Sequence, residues 1–101
     1  MKDEKGFLTM LGFAAKARKA VAGESNVEAA LKKKQVQLLI AAENMPSKRL
    51  EHWQRTAKDN MVKLVIGTSQ EKIGAAMGLS ARAIVAVNDR QMKEAILARI
   101  E

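Results

Sequence analysis

The chain has 101 residues and no cysteine, so it can enclose one hydrophobic core but cannot form a disulfide framework or a thiolate metal site. Hydrophobic residues make up 48% and charged residues 29%, which is typical of a folded soluble domain, and no apolar run approaches the roughly 20 residues of a membrane span. The net charge of +7 favours a polyanionic partner, and the composition together with an N-terminus unlike a signal peptide predicts a cytoplasmic protein without a membrane partner.

The spacing of apolar residues predicts nine elements in the order α-β-α-β-α-β-α-β-α. Five segments have a helical apolar face, namely Phe7–Ala15, Val27–Leu31, Leu50–Ala57, Ile73–Met77 and Met92–Ile100. Three apolar runs (residues 36–42, 62–66 and 83–87) are predicted to be strands covered on both faces, and Ala20–Ala22 is predicted to be a fourth, short strand. This order favours an α/β fold, a three-layer α/β/α sandwich with a four-stranded mixed sheet, formed by residues 1–101 as a single domain.

Short polar motifs predict how two of the helices begin. Two pairs have the Ser/Thr-x-x-Glu spacing of a capping box, namely Ser25 with Glu28 and Thr68 with Glu71. In the fourth helix, Gly74 and Gly78 are expected to allow close packing against the sheet.

The segment 18–34 (RKAVAGESNVEAALKKK) is the most informative part of the chain. Three apolar residues (20–22) precede Gly23, and three polar residues (24–26) follow it. A predicted amphipathic helix comes next and ends in three lysines (32–34). Residues 16–34 contain two acids and six bases, the bases being Lys16, Arg18, Lys19, Lys32, Lys33 and Lys34. Backbone amides at a helix start attract anions, so this segment predicts a surface that holds the phosphate backbone of RNA. The alternative is that the lysines only keep a small domain soluble.

No motif in the chain indicates catalysis, a metal site or a cofactor. His52 is the only histidine, and no second ligand lies at metal-binding spacing. The residues Gly67 and Thr68 follow a strand and precede a helix, but they lack the spacing of a phosphate-binding loop. The three aromatic residues are expected to pack in the core, so we predict recognition of folded RNA rather than stacking along a single strand.

Two long segments resemble one known family. They are LGFAAKARKAVAGESNVEAALKKKQVQLLIAAEN and VIGTSQEKIGAAMGLSARAIVAVND. Together they resemble the kink-turn RNA-binding superfamily of ribosomal proteins (the L7Ae and L30e group), most closely its small bacterial YlxQ-type branch. The likeness covers nearly the full length. It implies a non-enzymatic protein of translation that binds structured ribosomal or other ribonucleoprotein RNA, with ribosomal or ribonucleoprotein proteins as possible neighbours.

The resemblance also implies which residues contact RNA. In that family, the helix that begins at the position of Gly23 enters the widened groove of a kink-turn, and the loop after the position of Gly78 covers a flipped base. The implied recognition edge is Gly23, Glu24, Ser25 and Asn26, the covering loop is Leu79, Ser80 and Ala81 with Arg82 beside it, and the phosphate contacts are Lys16, Arg18, Lys19, Lys32 and Lys33.

The chain departs from the family pattern at four positions. Strong kink-turn binders have Asn at the position of Ser25, Glu at that of Asn26 and a basic residue at that of Ala29. YlxQ-type sequences tend to have glycine at the position of Arg18. Without the charge of a glutamate at position 26, we expect affinity for a standard kink-turn to be lower by about 1–3 kcal/mol.

Two other functions are compatible with this sequence. The first is a protein-interaction adaptor on the same fold, whose basic face docks an acidic partner, because a fold does not by itself determine function. The second is an enzyme that acts on a small phosphorylated ligand at Gly67 and Thr68, which the missing phosphate-loop spacing disfavours.

Overall fold

The computed structural model describes all residues from 1 to 101. Five helices and four strands alternate in the predicted order: α1 (Glu4–Lys16), β1 (Ala20–Ala22), α2 (Glu24–Lys32), β2 (Leu38–Ala41), α3 (Ser47–Asp59), β3 (Lys63–Ile66), α4 (Gln70–Ala76), β4 (Ile84–Val87) and α5 (Arg90–Ile100). The short strand at Ala20–Ala22 is confirmed, and the longer strands lie within the predicted runs. No helix of the structure has both the length and the apolar character needed to cross a lipid bilayer.

The four strands form one mixed sheet in the order β1-β4-β2-β3. Strands β2 and β3 are parallel, while β4 pairs antiparallel with both β1 and β2. At one end of the sheet, Ala20 of β1 and Leu38 of β2 flank Val87 of β4, and at the opposite end Gly23 follows β1. We call these the Val87 end and the Gly23 end of the sheet.

Helices cover both faces of the sheet, which confirms the predicted three-layer α/β/α sandwich. Helices α1, α4 and α5 bury Phe7, Ile73 and Ile96 against one face. Helices α2 and α3 bury Val27 and Trp53 against the other. Each large apolar side chain removed from water contributes about 1.5–3 kcal/mol to folding, so both helical layers are held chiefly by this burial.

Two expectations about burial are wrong. The strand β3 is an edge strand that pairs only with β2, so Lys63 is exposed and Ile66 is 42% exposed instead of being covered on both faces. Among the aromatic residues, Phe7 and Trp53 lie in the core as expected, but Phe13 is 53% exposed on the outer side of α1.

The two predicted capping boxes are also wrong. Helices α1, α4 and α5 each have an N-cap residue whose side chain accepts a hydrogen bond from a backbone N–H. These caps are Asp3, Ser69 and Asp89. Ser25 instead lies inside α2, which begins at Gly23 without a side-chain cap. Thr68 lies one residue before the cap of α4, where it is buried and donates its hydroxyl hydrogen to the carboxylate of Glu4.

The carboxylate of Glu4 joins the starts of α1 and α4. Besides the Thr68 hydroxyl, it accepts a hydrogen bond from the ammonium of Lys72 at 3.1 Å. The hydrogen bond from Thr68 and, to a lesser extent, the one from Lys72 hold the pKa of Glu4 below its ordinary value of 4.5. The charged form of Glu4 is therefore favoured by folding.

We predict that Glu4→Gln lowers the stability of the protein near neutral pH. A carboxylate whose pKa is depressed in the folded state contributes stability above its unfolded pKa and loses that contribution as the pH falls through the folded pKa. The difference in free energy of unfolding between wild type and variant is expected to be largest near neutral pH and to shrink below pH 4.5. Urea unfolding across this range measures it, and a difference that does not vary with pH would contradict the assignment.

Candidate functional site

The turn at Gly23 determines where α2 begins. Gly23 has φ +96°, donates its N–H to the carbonyl oxygen of Ile84 at 3.0 Å, and accepts the N–H of Val27 at 2.9 Å. The amides of Glu24, Ser25 and Asn26 precede the first intrahelical hydrogen bond, and no side chain caps them. The start of this nine-residue helix therefore presents three unbonded N–H donors and the positive end of the helix dipole.

The side chain of Asn26 is held in place while keeping hydrogen-bonding capacity. Its Nδ2 donates to the carbonyl oxygen of Ala22 at 3.0 Å. A primary amide has a second N–H and an oxygen besides, and Asn26 is exposed, so both remain accessible. The neighbouring Ser25 is exposed as well. The helix start thus offers donors and an acceptor in a fixed arrangement.

The carboxylate of Glu24 is paired with Arg49 in the first turn of α3. Arg49 donates both Nε, at 3.2 Å, and Nη2 to the two carboxylate oxygens. This bidentate pair balances a negative charge that would otherwise compete with an anion for the unbonded amides of α2. Sequence reasoning missed Arg49, since nothing in the local pattern links residues that are 25 positions apart.

The loop Leu79–Arg82 lies beside the helix start and is braced by its own hydrogen bonds. Arg82 donates its backbone N–H to Gln70 O at 3.0 Å, and its Nη1 bonds to Ser80 Oγ at 2.6 Å and to the carbonyl oxygens of residues 80 and 81 at 3.1 Å. The Nε of Arg82 is 3.9 Å from the position that a Cβ on Gly23 would occupy. Leu79, at the tip of the loop, is 44% exposed. The structure therefore brings together the predicted recognition edge and the predicted covering loop.

Gly74 lies inside α4 and faces this loop, whereas Gly78 lies two residues after the end of α4. A Cβ on Gly74 would lie 2.0 Å from the carbonyl oxygen of Ser80, so only glycine allows the loop to return against α4. Gly78 has φ +74° and nothing within 4 Å of an added Cβ, which makes it a turn residue. The expectation that both pack against the sheet is wrong.

Most of the predicted phosphate contacts lie at the opposite end of the sheet. Helix α2 packs on β1 and β4 and runs back from Gly23 towards the start of β2, so its C-terminus lies at the Val87 end. The residues at this end are Arg18 and Lys19 before β1, Lys32 and Lys33 at the end of α2, and Lys34 after it. One helix length, about 13 Å at 1.5 Å per residue, separates them from the unbonded amides.

These basic side chains differ in whether they form an ion pair with an acidic residue of the chain. The Nζ of Lys19 lies 3.6 Å from a carboxylate oxygen of Asp89, whose negative charge partly offsets the positive charge of the lysine. Arg18, Lys32 and Lys33 are exposed and form no ion pair within the chain. Lys16 is the last residue of α1, two positions before Arg18, and it also lines a pocket together with Gly78. The basic residues on either side of Gly23 in the sequence therefore lie at the Val87 end of the sheet and do not flank the start of α2 in space.

Arg18 occupies a backbone conformation that favours glycine. Its φ is +59°, and Lys34 and Met61, which likewise follow helix ends, have φ values of +56° and +54°. For residues with a Cβ, this left-handed conformation costs roughly 1–2 kcal/mol. The preference of YlxQ-type sequences for glycine at this position thus has a physical reason.

We predict that Arg18→Gly raises the free energy of unfolding by about 1 kcal/mol, because it relieves this strain. Met61→Gly is the matched control, since it relieves the strain of the same left-handed backbone conformation and removes no charge. Both variants are expected to be stabilised in urea unfolding, but only the Arg18 variant is expected to lose affinity for polyanions. Equal affinity of the two variants would remove Arg18 from the site.

Other contacts engage the residues considered for metal or phosphate chemistry, which are His52, Gly67 and Thr68. No three His, Asp or Glu side chains lie close enough together to hold a metal ion. His52 is half-buried and packs edge-on against Trp53, with ring centroids 5.1 Å apart. Gly67 and Thr68 are both buried, and the Thr68 hydroxyl is bonded to Glu4, so this turn does not present a phosphate-binding surface.

The fold is an α/β sandwich domain in which the start of α2 presents unbonded amides at one end of the sheet. The model of the ribosomal protein L7Ae/L30e/S12e/Gadd45 family matches residues 7–97, and the chain belongs to this family. The predicted resemblance is thereby confirmed at the level of the family, while the YlxQ-type branch stays a prediction.

Solved structures share the fold at low sequence identity. A protein of unknown function from Bacillus halodurans is 24% identical with a TM-score of 0.86, over 93% of this chain and 95% of that one. A 15.5kD RNA binding protein from Giardia lamblia is 15% identical with a TM-score of 0.77, over 95% of this chain and 82% of that one. No curated protein is significantly similar in sequence.

Proposed function

We propose that residues 1–101 form a non-enzymatic RNA-binding domain of the ribosomal type, which recognises structured, kink-turn-like RNA. The observation that carries this proposal is the set of unbonded amides at residues 24–26, which lie beside the braced loop Leu79–Arg82. Family membership supports it, as does the structural neighbour from Giardia lamblia that is described as an RNA binding protein.

Within this proposal the two ends of the sheet have different tasks. At the Gly23 end, backbone amides, Ser25 and Asn26 meet the edges of bases in a distorted helix, and the exposed side chain of Leu79 covers an unpaired base. At the Val87 end, Arg18, Lys32 and their neighbours neutralise phosphates, which gives affinity but no sequence information. Binding is therefore expected to combine a salt-sensitive part with a shape-specific part.

The same proposal includes the cellular context. The RNA is ribosomal RNA or the RNA of another ribonucleoprotein particle, and the protein acts in translation in the cytoplasm. Ribosomal or ribonucleoprotein proteins are then its neighbours. The name of the family, which includes ribosomal proteins, supports this context.

We predict that Asn26→Ala weakens binding to a kink-turn RNA about 10- to 100-fold, because a base-edge contact is worth about 1–3 kcal/mol. Binding to an unstructured strand of equal length is expected to change little. Lys33→Ala is expected to weaken both RNAs and to reduce the slope of log affinity against log salt by about one. Filter binding or fluorescence anisotropy over a range of salt concentrations measures both effects.

The matched control is Lys2→Ala, which removes an exposed cation ahead of α1 and is expected to leave both affinities unchanged. If Asn26→Ala and Lys33→Ala weaken both RNAs equally, the site at the Gly23 end is wrong and only nonspecific charge binding is left. If neither RNA binds, the adaptor function on this fold becomes the better account.

A further inference from the structure

A shallow groove that is open to solvent runs along the outer side of α1 where this helix packs against α4. It has two adjoining parts of about 470 and 430 Å³ that share the segment around Leu8 and Ala76. From Lys5 to Lys16 it follows α1 for about 16 Å at 1.5 Å per residue. The candidate RNA site at the start of α2 uses none of the residues that line the middle of this groove.

The floor of the groove is apolar and lacks free hydrogen-bonding side chains. Leu8 and Met77 are half-buried in it, and Phe13 is 53% exposed at its rim. Thr9 is the one hydroxyl in the lining, and its Oγ1 already donates to the carbonyl oxygen of Lys5 at 3.0 Å. An exposed Phe on a helix face leaves apolar area in contact with water, which a partner with aliphatic side chains would cover.

The rim of the groove is positively charged at both ends. Lys5 and Lys72 lie at one end and Lys16 at the other, and no Asp or Glu lines either part. Lys72 is engaged with Glu4, whereas Lys5 and Lys16 are exposed and form no ion pair. An occupant therefore needs an apolar stripe with negative charge near its two ends.

We infer that this groove docks an amphipathic helix of a protein partner, about three turns long, with apolar residues at helical spacing and acidic residues flanking them. Two packed helices form a groove of the shape used in helix-in-groove recognition, and its length matches three turns of 5.4 Å. Apart from Lys16, which is also a predicted phosphate contact, the groove shares no lining residue with the candidate RNA site.

The chemistry of the groove argues against two other occupants. A nucleic acid strand needs stacking partners and polar contacts for its bases, but the groove has a single aromatic residue and no free polar side chain on its floor. A second copy of the chain would add a net charge of +7 to a cationic rim. An acidic helix satisfies both the apolar floor and the charged ends.

The test is photo-crosslinking from within the groove. The full chain carries benzoylphenylalanine at position 13 in cells, and after irradiation the crosslinked material is treated with nuclease, denatured and mapped by mass spectrometry. Benzoylphenylalanine at Met61, which is 93% exposed and outside the groove, is the matched control. We expect position 13, and not position 61, to crosslink to a peptide with apolar residues at i, i+3 or i+4, and i+7 and with acidic flanks.

A synthetic peptide of the mapped sequence is then titrated against wild type and variants. Phe13→Ala is expected to weaken its binding at least tenfold, and the double variant K5E/K16E is expected to abolish it. Crosslinking of position 13 to RNA, to a second copy of this chain or to nothing would overturn the inference, as would unchanged peptide affinity in K5E/K16E. Kink-turn affinity of Phe13→Ala, measured alongside, separates failure here from failure of the proposed RNA function.

Discussion

The antiparallel pairing of β1 with β4 is the constraint on which the candidate site depends. Strand β1 has only three residues, and its ladder with β4 ends where the N–H of Gly23 donates to Ile84. Because Gly23 accepts a positive φ, the chain turns into α2 within one residue. No residue is left between strand and helix to act as a side-chain cap, so the first three amides of α2 face outward unbonded.

The loop Leu79–Arg82 follows from the same constraint. Strand β4 must begin beside the end of β1, so the segment before β4 has to pass next to the start of α2. Gly74 lets this segment approach the backbone of α4. The side chain of Arg82 then holds the loop by donating hydrogen bonds to the carbonyl oxygens of Ser80 and Ala81. The candidate recognition edge and its neighbouring loop are thus positioned by backbone geometry.

Periodic features of the sequence predicted the fold well. The number, order and type of the elements, and the two-faced cover of the sheet, follow from apolar spacing, since burial determines where helices and strands form. Local rules failed where tertiary contacts decide. The capping box at Ser25 was wrong because Gly23 starts α2 earlier, and the one at Thr68 was wrong because its hydroxyl bonds to Glu4 from a distant helix.

The candidate site was only partly accessible from sequence. Gly23 and the polar residues after it were marked by a local pattern, but the Arg49 that pairs with Glu24 lies in another helix. The basic residues before and after Gly23 in the sequence lie away from the helix start for a topological reason. Strand β1 and helix α2 run in opposite directions. The basic residues before the start of β1 and those at the C-terminal end of α2 therefore both lie at the Val87 end of the sheet.

An NMR titration of isotopically labelled protein with a kink-turn RNA shows whether the start of α2 contacts the RNA. We expect the largest shifts at the amides of residues 24–26 and 79–82. A straight duplex of equal length and charge is predicted to shift chiefly residues at the Val87 end, such as Lys32 and Lys33. If both RNAs shift the same amides, or the kink-turn leaves residues 24–26 unchanged, the start of α2 is not the recognition edge.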